Sequence, residues 1–275
     1  MTANKYRLGE DLWLSIQGEG RFAGHPSLWA RVFGCNLKCP GFPCDTEYSW
    51  NPDFKDQTLT YTAQEIVDGW IKLLITPENP TGLFRHPLTD TDVHFIFSGG
   101  EPLLAKYQKL IVEVIEALAR ANVENVPINI TVESNGTQPL TPELIDAIEK
   151  LHTNDGVMFF SVKMFFSLSP KLQSVSGEVG AVNIQNIIDI ASEYYSQIKF
   201  VCDESVECEQ ELDAIVKELQ SKKHHFTMFD YWVMPLGTTR EDQLQIAGIV
   251  EKYQAKGYRI ATRNHTYIWS DAKGR

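Results

Sequence analysis

The sequence predicts an α/β protein built on a parallel sheet, because short β-rich runs alternate with amphipathic helical segments along most of its 275 residues. Neither a low-complexity linker nor an internal repeat interrupts that alternation, so a single domain over 1–275 is expected, with residues 1–26 as an N-terminal extension. The expected strands are 28–33, 93–97, 128–132, 157–162, 198–202, 231–234 and 258–261. Most are short and largely apolar, as strands covered by helices on both faces should be.

Helices fit the gaps. Tyr107, Leu110, Ile111, Val114, Ile115 and Leu118 recur at three and four residues, the period of a helix with one buried stripe. Thr141 before Pro142 and Glu143 marks a helix start, and Thr62 three residues before Glu65 marks another. About six strand–helix units fall short of the usual eight-fold barrel, which leaves an incomplete barrel or an open doubly wound sheet. In both, functional residues collect at the carboxyl ends of the strands. The segments 35–46, 98–102 and 133–137 each follow an expected strand and would open onto one face.

A hydrophobic content of 43% suits a globular core, and a formal net charge of −11 argues against a surface that neutralises nucleic-acid phosphates or anionic lipid. A small-molecule substrate is therefore expected, with no nucleic acid and no membrane as partner. No apolar run approaches the roughly 18 residues of a membrane span, and residues 1–10 are too polar for a secretory signal, so a cytoplasmic location is expected.

Three of the five cysteines, Cys35, Cys39 and Cys44, crowd into ten residues of a Gly/Pro-containing loop. That is a poor disulfide framework and a good metal site in a reducing compartment. A structural zinc is normally closed by four ligands, whereas three thiolates on a four-iron cluster leave one iron open to a small molecule. Zinc with a fourth ligand from elsewhere remains the alternative. Cys208 shares a helical stripe with Leu212, Ile215 and Leu219, and Cys202 ends a strand-like run, so both read as buried packing.

Ser98-Gly99-Gly100-Glu101-Pro102 closes a very apolar strand. Adjacent glycines let a ligand approach the backbone, and a carboxylate beside them can accept from an ammonium group. With the cysteine loop one strand earlier, this turn resembles the radical S-adenosylmethionine (SAM) superfamily. Further motifs narrow the resemblance to 7-carboxy-7-deazaguanine synthases: Ser15-Ile16-Gln17-Gly18-Glu19-Gly20, Arg31 before Gly34-Cys35-Asn36-Leu37, and Asp45-Thr46 directly after Cys44. Later come Glu133-Ser134-Asn135-Gly136-Thr137, Ser169-Pro170-Lys171, Lys199-Phe200-Val201, Met234-Pro235-Leu236-Gly237, and a tail with Arg263, His265 and Trp269.

The resemblance implies an incomplete (β/α)6-type barrel with parallel strands, in which Cys35, Cys39 and Cys44 hold a [4Fe–4S] cluster. It implies SAM bound by Asp45, Gly99, Gly100, Glu101, Glu133, Asn135, Ser169 and Lys171, with Ser161 and Lys163 as an alternative to the last pair. Thr46 is implied as a hydroxyl ligand of magnesium. A pterin substrate, 6-carboxy-5,6,7,8-tetrahydropterin, would meet Ile16, Gln17, Gly18, Glu19, Arg31, Ser98 and His265, with residues 1–26 as part of its binding surface. Physically, Gln17 offers donors and an acceptor to a pterin edge, Glu19 can accept from its N–H groups, and Arg31 can grip a carboxylate through two parallel bonds.

The implied reaction contracts the pterin ring to 7-carboxy-7-deazaguanine with loss of ammonia, using an electron donor such as flavodoxin or ferredoxin, in a homodimer. A glycyl-radical activase shares the cluster chemistry, but the Gln17 to Glu19 segment and Arg31 suit a small anionic heterocycle. One departure from the family pattern is the second cysteine gap, which holds Pro40, Gly41, Phe42 and Pro43 where two residues are usual.

Overall fold

The computed structural model describes the chain except residues 1–2, 42–43, 45, 124–125, 151–161, 225–226, 271 and 273–275. The described residues build a ten-stranded sheet of β1 (Tyr6–Leu8), β2 (Trp13–Ile16), β3 (Pro26–Val32), β4 (Leu59–Tyr61), β5 (His94–Gly99), β6 (Ile128–Ser134), β7 (Val162–Leu168), β8 (Ser196–Cys202), β9 (Tyr231–Pro235) and β10 (Arg259–Ile260). Their helices are α1 (Ala63–Leu74), α2 (Ala105–Ala121), α3 (Pro142–Lys150), α4 (Gln173–Ser176), α5 (Ile184–Glu193), α6 (Val206–Lys222), α7 (Arg240–Gln243), α8 (Ala247–Ala255) and α9 (Asn264–Trp269).

Strands β3 and β5 to β10 lie side by side in chain order and all run parallel. A doubly wound sheet would reverse its strand order partway; here every crossover returns in the same sense and the helices gather on one face. The order runs from β10 to β4 without the two edges meeting, which is the incomplete barrel. Residues 6–16 supply β1 and β2, which pair antiparallel along the edge of β3 opposite β5, with Leu8 across from Val32 and Trp13 across from Trp29.

Side chains alternate across each strand, and the alternation divides the molecule. Leu28, Ala30, Val32, Phe95, Phe97, Val132, Phe166 and Phe200 point into one large core with Trp70 of α1, Leu110 and Val114 of α2, Ile187 of α5 and Leu212 of α6. Their neighbours in sequence, among them Trp29, Arg31, Ile96, Ser98, Glu133, Ser167 and Lys199, point the other way. The expectation of helices on both faces is corrected here: the concave face carries a small apolar cluster of Trp13, Trp29 and Ile96, and above it polar groups. At the amino ends of the strands, Phe22, His94, Phe165 and Tyr195 pack edge to face, with Tyr195 exposed to solvent.

The helix signals hold. Glu65 N–H donates to Thr62 Oγ1 at 3.2 Å and Thr62 N–H to Glu65 Oε2 at 2.7 Å, closing a capping box, and α3 begins at Pro142. Cys202 and Cys208 are fully buried, with the Tyr253 hydroxyl 3.5 Å from Cys208 Sγ. The strand expected at 157–162 lies mostly outside the described residues; the described strand starts at its last residue and continues to Leu168, because the run that pairs with β6, from Ile128 opposite Val162 to Ser134 opposite Leu168, is the later one.

Trp70 is fully buried, donates from Nε1 to Trp29 O at 3.2 Å and packs its ring 5.3 Å from that of Phe95. Trp70→Ala is expected to cost about 3–5 kcal/mol in urea unfolding, whereas Leu88→Ala, at a side chain 74% exposed, should change stability by less than about 0.5 kcal/mol.

Candidate active site

A cavity of about 490 Å³ opens at the carboxyl ends of the strands on the concave face. The sheet register builds its wall: Arg31 sits beside Ser98 across β3 and β5, and Glu133 beside Ser167 across β6 and β7. Ser98 Oγ donates to Glu133 Oε2 at 2.8 Å, and Gln17 Nε2 donates to Glu133 Oε1 at 3.0 Å. A larger hollow of about 900 Å³ lies against β7 between α3 and α5, away from the cysteines, and its lining is mainly apolar.

Cys35, Cys39 and Cys44 all line the 490 Å³ cavity. The loop that carries them is tied down on two sides. Cys39 adopts a left-handed backbone, φ +46°, and its N–H and that of Lys38 both donate to Glu178 Oε1, the former at 2.7 Å. Gly41 N–H donates to Ser176 O at 2.7 Å, so this residue of the lengthened second gap rests on the end of α4. On the other side, Asn135 Nδ2 donates to Asn36 Oδ1 at 3.0 Å, and Asn36 Nδ2 donates to Thr137 Oγ1 at 2.8 Å. Thr46 Oγ1 lies 3.5 Å from Cys44 Sγ and also faces the cavity.

The turn after β5 is held against this loop by main-chain bonds, Gly100 N–H to Val32 O at 3.1 Å and Glu101 N–H to Gly34 O at 2.8 Å. A Cβ on Gly100 would lie 2.0 Å from Gly34 O, so only glycine permits the approach. Glu101 is fully buried: its Oε1 accepts from Leu103 N–H at 2.7 Å and Ser134 Oγ at 2.8 Å, and its Oε2 accepts from Asn135 N–H at 2.8 Å. Burial pushes this carboxyl up and those donors pull it back.

At the opposite side of the cavity stands a buried charge cluster. Glu19 Oε2 pairs with Lys199, and Oε1 accepts from Arg263 Nε at 3.1 Å with His265 Nε2 at 4.0 Å. Burial alone would raise the Glu19 carboxyl, but Lys199, then Arg263 and His265, hold it well below the usual carboxylate range. Arg31 Nε donates to Glu10 Oε1 at 2.5 Å, a carboxylate that also accepts from the Tyr48 hydroxyl at 2.9 Å, and the guanidinium lies over the ring of Trp13.

Known proteins resemble the chain along its length. A 7-carboxy-7-deazaguanine synthase of Halobacterium salinarum is 26% identical, covering 95% of this chain and 90% of its own length, and one of Pyrobaculum aerophilum is 25% identical, covering 96% of each. One of Methanothermobacter thermautotrophicus is 33% identical over 49% of this chain. The chain is a relative of the 7-carboxy-7-deazaguanine synthases. Among solved structures, QueE from Escherichia coli matches with a TM-score of 0.60 at 17% identity over 95% of both chains, which shows a shared fold. No protein-family model matches the chain.

Set beside the synthase resemblance, the expected site residues mostly share one cavity: Ile16, Gln17, Glu19, Arg31, Ser98, Gly99, Gly100, Glu133, Asn135, Ser169, Lys171 and His265 all line it. Lys171 Nζ donates to Ser169 Oγ at 3.1 Å, while Lys163 of the alternative pair lines the other hollow and Ser161 lies outside the described residues. Asp45 also lies outside them. Gly18 and Glu101 stand behind the lining. A Cβ on Gly18 would fall 1.9 Å from His265 Nδ1, so this glycine lets the histidine ring pack on the backbone. Glu101, expected to face an ammonium group, is turned inward because three protein donors occupy it. Lys199, Arg263 and Glu10 were not singled out as binding residues. For Lys199 a signal existed, a lysine inside an apolar strand; for Glu10 none did.

The donor set suits the iron–sulfur group expected of such a relative. Three soft thiols face one cavity, and burial pushes the Cys35 thiol up to about 11, against the Leu37 N–H and Lys171, which favour the thiolate. Among the described residues no three His, Cys, Asp or Glu side chains gather on one point as ligands of a single ion. The three thiolates of a four-iron cluster bind three different irons and need not do so. Gly100→Ala should break the contact between the turn and the cysteine loop and lower the iron retained after reconstitution to less than about half of wild type, read by iron analysis and visible absorbance; full iron uptake would contradict that coupling.

Proposed function

We propose that this chain contracts 6-carboxy-5,6,7,8-tetrahydropterin to 7-carboxy-7-deazaguanine with loss of ammonia, as a radical SAM enzyme using a [4Fe–4S] cluster, SAM and magnesium. One observation carries the reading: three cysteine thiols and an ionised Glu19 with Gln17, Arg31 and His265 line the same cavity. When bound, the cluster and SAM supply reductive sulfonium cleavage and abstraction of a hydrogen atom from the substrate.

The chain's own residues then hold and orient. Cys35, Cys39 and Cys44 would bind the cluster, and Thr46 would offer a hydroxyl to magnesium, an ion that keeps waters and takes few protein ligands. Gly99 and Gly100 line the part of the cavity where the methionyl part of SAM would lie, with Asn135, Ser169, Lys171 and Glu133 around it and Asp45 as a further contact. Glu101 serves that site from behind by fixing Ser134 and Asn135. Gln17 and Glu19 would meet the donor edge of the pterin, Arg31 its carboxylate, with His265, Ser98 and Ile16 completing the wall.

The same reading places the chain in the cytoplasm as a single catalytic domain and homodimer, reduced by a flavodoxin or ferredoxin. No described helix is long and apolar enough to cross a membrane. Anaerobic reconstitution followed by SAM, magnesium, dithionite and the tetrahydropterin should yield 7-carboxy-7-deazaguanine by mass spectrometry. Cys39→Ser should lower SAM cleavage at least about 1,000-fold. 5′-Deoxyadenosine without the deazaguanine would move the chain to another radical SAM substrate, and full activity in Cys39→Ser would overturn the cluster assignment.

A further inference from the structure

Lys199 projects from the concave face of β8 between Ile198 and Phe200, both of which point into the helix-packed core. Its side chain is 5% exposed, and its ammonium reaches Glu19 Oε2 with Glu133 acting on it from β6. Burying an ammonium costs several kcal/mol unless charge and hydrogen bonds compensate, so a lysine here is retained against a penalty that an apolar residue would avoid.

The bonds around it form a chain through three separate parts of the sequence. Gln17 Nε2 donates to Glu133 Oε1 at 3.0 Å, Glu19 N–H donates to Gln17 Oε1 at 3.1 Å, and Lys199 pairs with Glu19. Arg263 takes the other oxygen of Glu19 from its Nε and donates from Nη1 to Gly237 O at 2.6 Å, tying in the loop after β9. The two carboxylate oxygens are therefore gripped from different elements, which sets the plane of the group as well as its charge.

We propose that Lys199 is a positioning residue for substrate recognition: with Arg263 it fixes Glu19 as an oriented carboxylate that the N–H edge of a pterin meets. This rests on the pterin reading above. The charged groups facing Glu19 are Lys199 from β8, Arg263 and His265 from the start of α9, and Glu133 from β6. Lys199 is the strongest of the cations acting on Glu19, and burial opposes it. Removing Lys199 leaves burial in place, so the carboxyl shifts upward and gains a proton as pH falls, and a protonated carboxyl loses acceptor capacity.

The test is equilibrium binding of pterin-6-carboxylate to the reconstituted protein by fluorescence, from about pH 8 to about pH 6, alongside KM and kcat for the tetrahydropterin. Lys199→Met should weaken binding about 10- to 100-fold at neutral pH, increasingly so toward acid, with the loss in KM rather than kcat and largely restored in Lys199→Arg. Glu19→Gln with Lys199→Met removes both charges and guards against misfolding. On the Glu19→Gln background the lysine change should weaken binding by less than about twofold. Lys199→Met binding within about twofold of wild type with the same pH profile, or an equal loss on both backgrounds, overturns the inference. Wild-type protein that does not bind the pterin overturns the pterin reading, and the inference with it.

Discussion

The strict alternation of side chains across the parallel strands is the constraint on which the rest depends. In β3, β5, β6, β7 and β8 one set of positions fills the helix-packed core with Val32, Phe97, Val132, Phe166 and Phe200, and the next set places Arg31, Ser98, Glu133, Ser167 and Lys199 on the concave face. A slip of one residue in β3, β6 or β8 would bury Arg31, Glu133 or Lys199 in the apolar core and turn Val32, Val132 or Phe200 onto the cavity. The packing that stabilises the sheet therefore also sets the positions of the groups that would touch ligands.

Within that frame, two buried carboxylates do different work because their surroundings differ. Among the described residues Glu101 takes its hydrogen bonds from neutral donors, two main-chain N–H groups and a serine hydroxyl, with Lys171 acting on it only from a distance, and these bonds join the turn after β5 to the end of β6 beside the cysteine loop. Glu19 meets cations, and its charge is offset by Lys199 and Arg263 at the mouth of the cavity. One carboxylate holds the cysteine side of the cavity in shape; the other stands on its opposite side, where the proposed pterin would meet it. Burial raises both, and only the cations reverse its effect.

Local signals were legible in the sequence and long-range ones were not. The cysteine spacing, the Gly-Gly turn, the Thr62 cap and the stripe of α2 each lie within a few residues and emerged where expected. The orientation of Glu101 depends on Ser134 and Asn135, 33 and 34 positions away, and no local pattern separates a glutamate facing out from one facing in. Lys199 was visible as an oddity in an apolar strand, but its partner stands 180 residues earlier. The strands read as covered on both faces because the amino-end half of the concave face is itself apolar, with Trp29, Ile96 and Phe165, and polarity begins only toward the carboxyl ends.

In the proposed reaction, cofactor and pterin occupy one cavity, close enough for a hydrogen atom to pass between them. The direct measurement is turnover of tetrahydropterin deuterated on its ring carbons, with the 5′-deoxyadenosine analysed by mass spectrometry. Deuterium in the 5′-deoxyadenosine, formed together with 7-carboxy-7-deazaguanine, is the predicted result. Deazaguanine formed while the 5′-deoxyadenosine stays free of deuterium would contradict the account.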